Sequence, residues 1–549
     1  MQKVQLLAGE QALSKLNCKV FQQQWFELYQ ACRWATPFQS VEFILCWFEH
    51  YNHAYLPLVV LEENEQGVQN LWLLAQDQST SMIVHAGAHQ AEYQCWLSCN
   101  DRFDSFLKRG LVLLKGQTYF PELTLKFLPP ILSHIIATTD QLTARHIMRN
   151  EQQPLIRFDA KQAPWASLRK KSNKSKLSRL RKLGDVSIEL VSEGASGFDD
   201  DLQRIATCYD LRQGAVNHCL PFRQDSHKLA FTHALISHHQ DVKILKMTLN
   251  NTIIAAVVGV INQGEFSVAV FSYDPTYSRH SPGKLLMLMG AQLLAERQLK
   301  AIDLTPGGTW KARYANAYAN VSVLRLFIEP IAYYRACLSE LLLTSCKRLL
   351  RHCDMTPQQA RDKAQCLRQR LGLQTQPVSI VEAYDNYQIN ICSLLAVEVS
   401  FVIRENQLVD FVEFSCQLSM EQQSHFLSHC LARLEAGATG YSVKELGVVK
   451  SCGWVVPPSK HREAAEDHPA NSENFCLLAD IYCAESLAEN ERQSYLIGIV
   501  QREVIRREKS GQLTLLVSDE YLKSKQFHHS AFSYVDSAST ELSQLLSHN

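Results

Sequence analysis

One pattern recurs three times along the chain: an apolar strand, a polar turn and a second apolar strand, followed later by a helix and a further strand. The predicted strand pairs are Leu56–Leu61 with Val68–Ala75, Lys243–Leu249 with Thr252–Ile261, and Glu398–Arg404 with Leu408–Cys416. Each intervening turn contains Asn or Gly, which adopt positive φ at little cost, as tight hairpins require. Units that mix strands and helices predict an α/β (α+β) fold with mixed central sheets flanked by helices.

The 549 residues are too many for one hydrophobic core, and the repeats indicate how they divide. We predict an N-terminal unit over 1–155, a central unit over 156–330 and a C-terminal unit over 375–549. Between the last two, 331–374 shows apolar residues at helical spacing, which predicts a helical connector.

The composition excludes several classes of protein. Lys plus Arg and Asp plus Glu number 55 each, so there is no molecule-wide field and we expect no nucleic-acid partner. The longest apolar run, Ile253–Ile261, is too short to span a bilayer, and the first residues are too polar for a signal peptide. The 17 cysteines include no CxxC pair and no Cys/His set with metal-ligand spacing. These features predict a cytoplasmic protein with no membrane span and no metal.

The most informative segment starts with the predicted strand Glu265–Tyr273 and a turn. The sequence Ser-Pro-Gly-Lys at 281–284 then opens a helix. Ser is a good N-cap, Pro suits the first helical position, and free amides at a helix start bind anions. Arg279 and His280 add positive charge, and no acid occurs from 275 to 295. The pattern predicts capture of a pyrophosphate, and the alternative is an ordinary turn between strand and helix.

A second informative turn follows the predicted strand Ala301–Thr305. Its sequence is Pro-Gly-Gly-Thr-Trp-Lys at 306–311. A glycine pair directly after a core strand often marks a place where a ligand approaches the backbone. An ordinary turn remains the alternative here too.

Together these segments resemble the CelD-type GNAT acyltransferases, which are associated with bacterial cellulose and exopolysaccharide biosynthesis. The resemblance rests on Tyr-Asp-Pro at 273–275 with Tyr277, Ser-Pro-Gly at 281–283, and Asp-Leu-Thr-Pro-Gly-Gly at 303–308 with Trp310 and Lys311. It spans roughly residues 20–330. The FemAB peptidyltransferases share a similar layout of paired GNAT folds. The resemblance implies tandem GNAT-like domains, with 1–155 as the N-terminal half and 156–330 as the catalytic domain.

In GNAT domains the strand before the phosphate loop separates from the next strand. Its backbone amides hold the acyl carbonyl, and the loop amides hold the pyrophosphate of CoA. The resemblance therefore implies acetyl-CoA or another acyl-CoA as co-substrate, and acyl transfer to an amine or hydroxyl of a small-molecule or glycan acceptor. Contact with other biosynthetic enzymes is a further expectation. The loop of this chain has fewer glycines than the usual GNAT loop.

The predicted site residues fall into three groups. The predicted catalytic residues are Asp274, Tyr273 and Lys311. We expect Asp274 and Lys311 to lie across one cleft, with Asp274 the better candidate for general base. Alternatively, Asp274 only caps the turn before Pro275. The cofactor-binding residues are Arg279, His280, Ser281, Pro282, Gly283 and Lys284. The substrate-binding residues are Arg212, Asp303, Gly307, Gly308 and Trp310; for Arg212 a surface salt bridge is the alternative.

Two further stretches bear on function. Eight cations and no acid lie between Arg169 and Lys182, which indicates either a phosphate contact or a solvated helix face. In the C-terminal unit, the stretch Glu485–Glu491 has three acids and no Gly where a pyrophosphate would bind, which predicts a degenerate GNAT-like domain. The alternatives to a CoA-dependent enzyme are a FemAB-like aminoacyl transferase and a non-catalytic partner-binding protein built from degenerate GNAT folds.

Overall fold

The computed structural model contains three β-sheets with helices packed on them, which confirms the predicted α/β (α+β) class. The residues described are 3–100, 103–117, 120–139, 142, 144–158, 163–192, 197–352, 384–456, 474–484, 487–507, 512–518 and 532–535. Thirteen cysteines of the described part of the chain, among them Cys32, Cys95 and Cys430, are free thiols. None of the helices in these ranges combines the length and the hydropathy needed to cross a bilayer.

The first sheet is antiparallel and lies in the N-terminal unit. Its strands are β1 (Lys3–Ala8), β2 (Tyr55–Asn64), β3 (Gly67–Asp77), β4 (Ile83–His85) and β5 (Leu97–Ser98). The order is β1-β2-β3-β4, with β5 beside β3, and the β2–β3 hairpin confirms the first predicted strand pair. The accompanying helices are α1 (Glu10–Asn17), α2 (Lys19–Ala31), α3 (Val41–Tyr51) and α4 (Asp104–Gln117). Trp25, Trp47 and Trp72 are fully buried in this core.

The second sheet has eight strands. They are β6 (Glu122–Leu128), β7 (His146–Arg157), β8 (Val186–Val191), β9 (Val242–Leu249), β10 (Thr252–Asn262), β11 (Glu265–Tyr273), β12 (Ala301–Asp303) and β13 (Ala317–Phe327). The order is β6-β13-β7-β12-β11-β10-β9-β8, and only the pair β11–β12 is parallel among these described strands. The predicted division after residue 155 falls inside β7, which pairs with both β12 and β13.

Helices and the N-terminal unit bury the second sheet from its two sides. The helices of this part of the chain are α5 (Pro130–Thr139), α6 (Lys171–Arg181), α7 (Phe198–Asn217), α8 (Pro221–Gln224), α9 (Lys228–His238), α10 (Pro282–Glu296) and α11 (Pro330–His352). α10 connects β11 to β12 and shares a core with Phe271 of β11. Val258 and Val270, whose side chains belong to the core of the first sheet, lie on the other face.

The third sheet repeats the topology of the second. Its strands are β14 (Tyr384–Asn390), β15 (Ile403–Glu405), β16 (Thr439–Glu445), β17 (Val448–Val456), β18 (Asn474–Cys483), β19 (Gln512–Ser518) and β20 (Phe532–Val535). Its helices are α12 (Ile391–Leu395), α13 (Leu408–Ser415), α14 (Met420–Glu435) and α15 (Glu489–Arg506). The order β15-β16-β17-β18-β19-β14-β20 corresponds strand by strand to β8-β9-β10-β11-β12-β7-β13. The parallel pair is again joined by one helix, α15.

The structure corrects one element of the third repeat. The predicted strand Leu408–Cys416 is the helix α13. Four of its six buried residues are Leu408 and the residues three, four and seven positions after it, Phe411, Val412 and Ser415, which is the helical period. A short apolar run does not by itself distinguish strand from helix.

Other predictions for the C-terminal half agree with the structure only in part. The predicted strand Glu398–Arg404 forms the short strand β15. α11 accounts for the first part of the predicted connector 331–374, and residues 353–374 lie outside the described residues.

Candidate functional site

The two parallel strands of the second sheet separate after three residue pairs. Glu265, Phe266 and Ser267 of β11 pair with Ala301, Ile302 and Asp303 of β12. β11 continues to Tyr273, and Ala269 is an extra residue in its register with β10. Such a bulge bends the strand and takes one residue out of the ladder. A wedge-shaped opening therefore begins at the last pair, Ser267–Asp303, as the GNAT resemblance implies.

A cavity of about 570 Å³ opens at the free end of β11, on the side of α10. We call it the β11 cavity. Eight of its lining residues belong to the predicted site: Arg212, Tyr273, Arg279, Ser281, Pro282, Gly283, Lys284 and Trp310. The remaining lining residues are Lys176, Phe271, Ser278, Arg313, Tyr314 and Glu435. The structure thus brings most of the predicted cofactor-binding residues to one cavity.

The start of α10 forms one wall of the β11 cavity. Pro282 is the first helical residue, as predicted, and Ser281 precedes it in the left-handed conformation with φ 52°. The Ser281 side chain does not cap its own helix. Instead its Oγ accepts a hydrogen bond from Lys176 Nζ at 2.7 Å. The positive end of the helix dipole and a lysine therefore meet at the same point, which is a favourable place for a phosphate group.

The electrostatics of the β11 cavity differ from those of the whole chain. Among its described lining residues the cations are Lys176, Arg212, Arg279, Lys284 and Arg313, and the acid is Glu435. The chain as a whole has a formal net charge of +0. A concave site lined by one sign of charge concentrates the field and attracts counter-ions. The cavity therefore suits a polyanionic ligand.

Arg212 lies over a group of aromatic rings. Its guanidinium carbon is 5.3 Å from the ring centroid of Tyr273, 5.6 Å from that of Trp310 and 5.8 Å from that of Phe271. The rings of Phe271 and Trp310 are stacked, with centroids 5.2 Å apart. Rings in such positions attract a cation through their quadrupole. This contact, rather than a surface salt bridge, is what the structure shows for Arg212.

His280 and Gly283, both predicted to bind the cofactor, have surroundings that differ from those expected. His280 is buried and does not line the cavity; its Nε2 lies 3.2 Å from Arg279 Nε. Burial, and then the neighbouring Arg279, lower the pKa of His280, so it adds no charge at neutral pH. At Gly283 a Cβ would lie 2.7 Å from Phe271 Cζ. The close approach that Gly283 permits is therefore to a core ring, because α10 packs tightly on β11.

The structure corrects the expectation that Asp274 and Lys311 face each other across one cleft. Neither lines the β11 cavity. The Asp274 carboxylate is buried, accepts hydrogen bonds from Thr276 N and Oγ1, and forms an ion pair with Arg204 at 2.6 Å. These are the contacts of a turn cap, because the carboxylate stands at the start of the 3₁₀ turn Pro275–His280. A catalytic role for Asp274 stays a prediction.

Lys311 stabilises the loop that follows β12. Its Nζ donates to Thr305 O and Oγ1 at 3.0 Å each and to Pro306 O at 3.2 Å. Gly307 and Gly308 have φ of 81° and 78°, which explains the glycine pair without a ligand. A Cβ on Gly308 would lie 2.9 Å from Trp310 Nε1. The loop thus folds back and places the Trp310 indole at the β11 cavity.

Asp303 lies at a second cavity, of about 230 Å³, on the opposite face of the sheet. We call it the junction cavity, because residues of the N-terminal unit close it. The Asp303 carboxylate accepts hydrogen bonds from Tyr93 Oη at 2.6 Å, Ser267 Oγ at 3.0 Å and Thr305 N at 2.7 Å. Burial raises the pKa of Asp303, although these hydrogen bonds oppose the rise. Gln153 also lines this cavity and is buried.

Several residues of the site were not predicted from the sequence. Lys176 belongs to the basic stretch, but nothing in its neighbourhood distinguishes it from Lys171 or Lys174. Arg313 follows the glycine turn closely, and its charge was a usable signal. Glu435 lies 162 residues from Tyr273, with which it forms a hydrogen bond, so no local pattern indicates it.

The corresponding place in the C-terminal unit differs. β18 and β19 pair over six residues, against three for β11 and β12. At the start of α15 the Glu491 carboxylate accepts a hydrogen bond from Ala488 N at 2.9 Å. A carboxylate at this helix start occupies the position where a phosphate would bind. Both observations agree with a degenerate repeat; Glu485 and Ser486 lie outside the described residues.

Comparison with known proteins bears on the same region. Residues 167–316 match the family model described as an acetyltransferase (GNAT) domain. This match covers β11, α10, β12 and the residues that follow them, so the central unit has a GNAT-type acyltransferase fold. No curated protein matches the chain.

Three solved structures are similar to parts of this chain. FemX is 8% identical, with 57% of this chain and 97% of that chain covered and a TM-score of 0.40. A tandem GNAT protein from the clavulanic acid biosynthesis pathway is 10% identical, with 60% and 99% covered and a TM-score of 0.36. The C-terminal domain of a putative lysylphosphatidylglycerol synthetase from Agrobacterium fabrum is 11% identical, with 52% and 88% covered and a TM-score of 0.34.

Proposed function

We propose that the central unit is an acyl-CoA-dependent N- or O-acyltransferase. The observation that carries the proposal is the cation-lined β11 cavity at the open end of the separated strands β11 and β12. A CoA pyrophosphate is a polyanion, and the start of α10 with Lys176 and Lys284 offers it amide groups and positive charge. The backbone that diverges at Ala269 offers N–H groups to a thioester carbonyl.

The junction cavity is our candidate for the acceptor site. It touches the last β11–β12 pair from the face opposite the β11 cavity, so an acyl group in the opening would be near both. The acceptor nitrogen or oxygen attacks the thioester carbon, the C–S bond breaks, and CoA leaves as the thiol after proton transfer. Asp303 lines the junction cavity and burial raises its pKa, and we propose it as the residue that accepts a hydrogen bond from the acceptor N–H or O–H.

The first experiment uses two lysines of the same helix. Lys176 lines the β11 cavity, whereas Lys174 is exposed on α6. Lys176→Glu is expected to weaken acetyl-CoA binding by roughly tenfold or more, because it places a negative charge beside the phosphates. The matched control Lys174→Glu should stay within about twofold, because exposed charges are screened by solvent and salt. Calorimetry on the full chain measures both; no binding of millimolar acetyl-CoA by the wild type would contradict the proposal.

A FemAB-like aminoacyl transferase is the second candidate. The observation in its favour is that the cations between Arg169 and Lys182, other than Lys176, are exposed and form a broad basic face. A tRNA would contact this face along the helix, so Lys174→Glu and Lys176→Glu would both weaken aminoacyl-tRNA binding. Tight binding of aminoacyl-tRNA with no binding of acetyl-CoA would favour this candidate.

The biological setting is part of the proposal and rests on the CelD-type resemblance. It comprises envelope polysaccharide or glycoconjugate synthesis in the cytoplasm, with a small-molecule or glycan acceptor and contact with other biosynthetic enzymes. A screen of amino sugars and sugar alcohols as acceptors, with acetyl-CoA as donor, tests it. Failure of both acetyl-CoA and aminoacyl-tRNA to bind would leave a non-catalytic partner-binding protein.

A further inference from the structure

The C-terminal unit packs directly on helix α7 of the central unit. Leu211 of α7 is fully buried in one apolar cluster with Phe411, Leu427 and Trp454. A Cβ on Gly214 would lie 2.3 Å from Leu427 Cδ1, so α7 and α14 approach closely because residue 214 lacks a side chain. Two units that share a continuous core position each other's side chains as firmly as one domain does.

The same helix α14 ends at the β11 cavity. Its last residue, Glu435, lines the cavity, and the Tyr273 hydroxyl donates a hydrogen bond to Glu435 Oε1 at 2.6 Å. Burial, and next this hydrogen bond, raise the pKa of Tyr273 to about 12. The hydroxyl therefore keeps its proton at neutral pH and remains the donor in this contact.

Tyr273 connects Glu435 to Arg212. The Tyr273 ring lies 5.3 Å from the Arg212 guanidinium, which is also held by the rings of Trp310 and Phe271. Arg212 itself stands on α7 between Leu211 and Gly214, the residues that meet the C-terminal unit. The C-terminal unit thus reaches Arg212 by two routes, through the backbone of α7 and through the ring of Tyr273.

We propose that Glu435 is a positioning residue for the donor, so that the third repeat serves as a structural part of the central unit's donor site. Glu435 fixes the Tyr273 ring, and this ring fixes Arg212 for contact with the acyl-CoA. The inference rests on the proposed function of the β11 cavity. It gives a role to a repeat whose own helix start is occupied by Glu491.

The experiment separates the hydrogen bond of Glu435 from its charge. Glu435→Gln keeps an acceptor for the Tyr273 hydroxyl and removes the negative charge, whereas Glu435→Ala removes both. Because neither variant carries the charge, the ratio of their dissociation constants reports the hydrogen bond alone. We expect acetyl-CoA to bind E435A roughly three to ten times more weakly than E435Q, as loss of one hydrogen bond predicts.

The same pair is then compared in a Tyr273→Phe background. Without the hydroxyl, E435A and E435Q should bind acetyl-CoA equally, since coupled residues are not additive. The matched control is Glu421, exposed in the first turn of α14; E421A and E421Q should not differ. Calorimetry with acetyl-CoA on the full chain measures all of these, and thermal melting verifies that each variant is folded.

Three results would overturn the inference: equal affinity of E435A and E435Q with Tyr273 present, a difference that persists in the Tyr273→Phe background, or the same difference at Glu421. Failure of the proposed function has another signature. In that case the wild type itself shows no acetyl-CoA binding, and the inference falls with it.

Discussion

Replacing Asp274 by Asn tests whether this carboxylate is a turn cap or a general base. Asp274 Oδ1 accepts from Thr276 N at 2.9 Å and Thr276 Oγ1 at 2.6 Å, and Oδ2 accepts from Arg204 Nη2 at 2.6 Å. The Asn oxygen keeps the contacts to Thr276, but the amide NH₂ faces a donor and the ion pair is lost.

The magnitude follows from these contacts. A hydrogen bond between charged groups contributes about 1.5–3 kcal/mol, and the 37% exposure of the Arg204 side chain lowers this to about 1–2 kcal/mol. For a domain of this size that corresponds to a fall in thermal midpoint of about 2–8 °C. Asp274→Ala should lose roughly a further 1 kcal/mol, because the cap is then missing too.

The assay combines thermal melting with the rate of thiol release from acetyl-CoA. A turn cap predicts that D274N melts earlier while its rate stays within a few-fold of the wild type. A general base predicts a loss of about a hundredfold or more. An unchanged melting temperature together with such a loss of rate would refute the turn-cap account and restore Asp274 to the mechanism.

Three further outcomes are expected. Burial raises the pKa of Asp210 from 3.8 to about 6, so its protonated form favours the folded state and stability falls as pH rises through this range. Urea unfolding from pH 4.5 to 7 should show the wild type losing about 2 kcal/mol relative to Asp210→Asn, and parallel curves would contradict this. Gly214→Leu should overpack the contact with Leu427, which lowers the thermal midpoint by several degrees and weakens acetyl-CoA binding. A variant that melts and binds acetyl-CoA like the wild type would show that the two units do not depend on this contact. Calorimetry should give one acetyl-CoA per chain, because Glu491 occupies the helix start of the C-terminal repeat; a stoichiometry of two would mean that this repeat also binds.

The sequence alone determined the local parts of the site. The helix start at Pro282 follows from the preference of Pro for the first helical position, and the strand before it follows from an apolar run; both act between neighbours in sequence. The Ser281 side chain, predicted as an N-cap, bonds to Lys176 instead. The glycine pair at 307–308 was also visible; its positive φ values allow the loop to fold back, and a ligand contact there stays a prediction. The repeat in the C-terminal unit was visible only in part, because α13 was expected as a strand and the hairpin of β16 with β17 was not predicted.

Only the tertiary structure decided which side chains share the cavity. Lys176, Arg212 and Glu435 come from three helices and meet because α6, α7 and α14 pack around the end of β11. Asp274 and Lys311 were predicted as catalytic because of their positions in the sequence. In the structure Asp274 forms an ion pair with Arg204, and Lys311 donates hydrogen bonds to carbonyl groups of its own loop. Backbone preferences are set by adjacent residues and can be read along the chain. The partner of a charged side chain is set by packing between elements far apart in sequence, which no local pattern encodes.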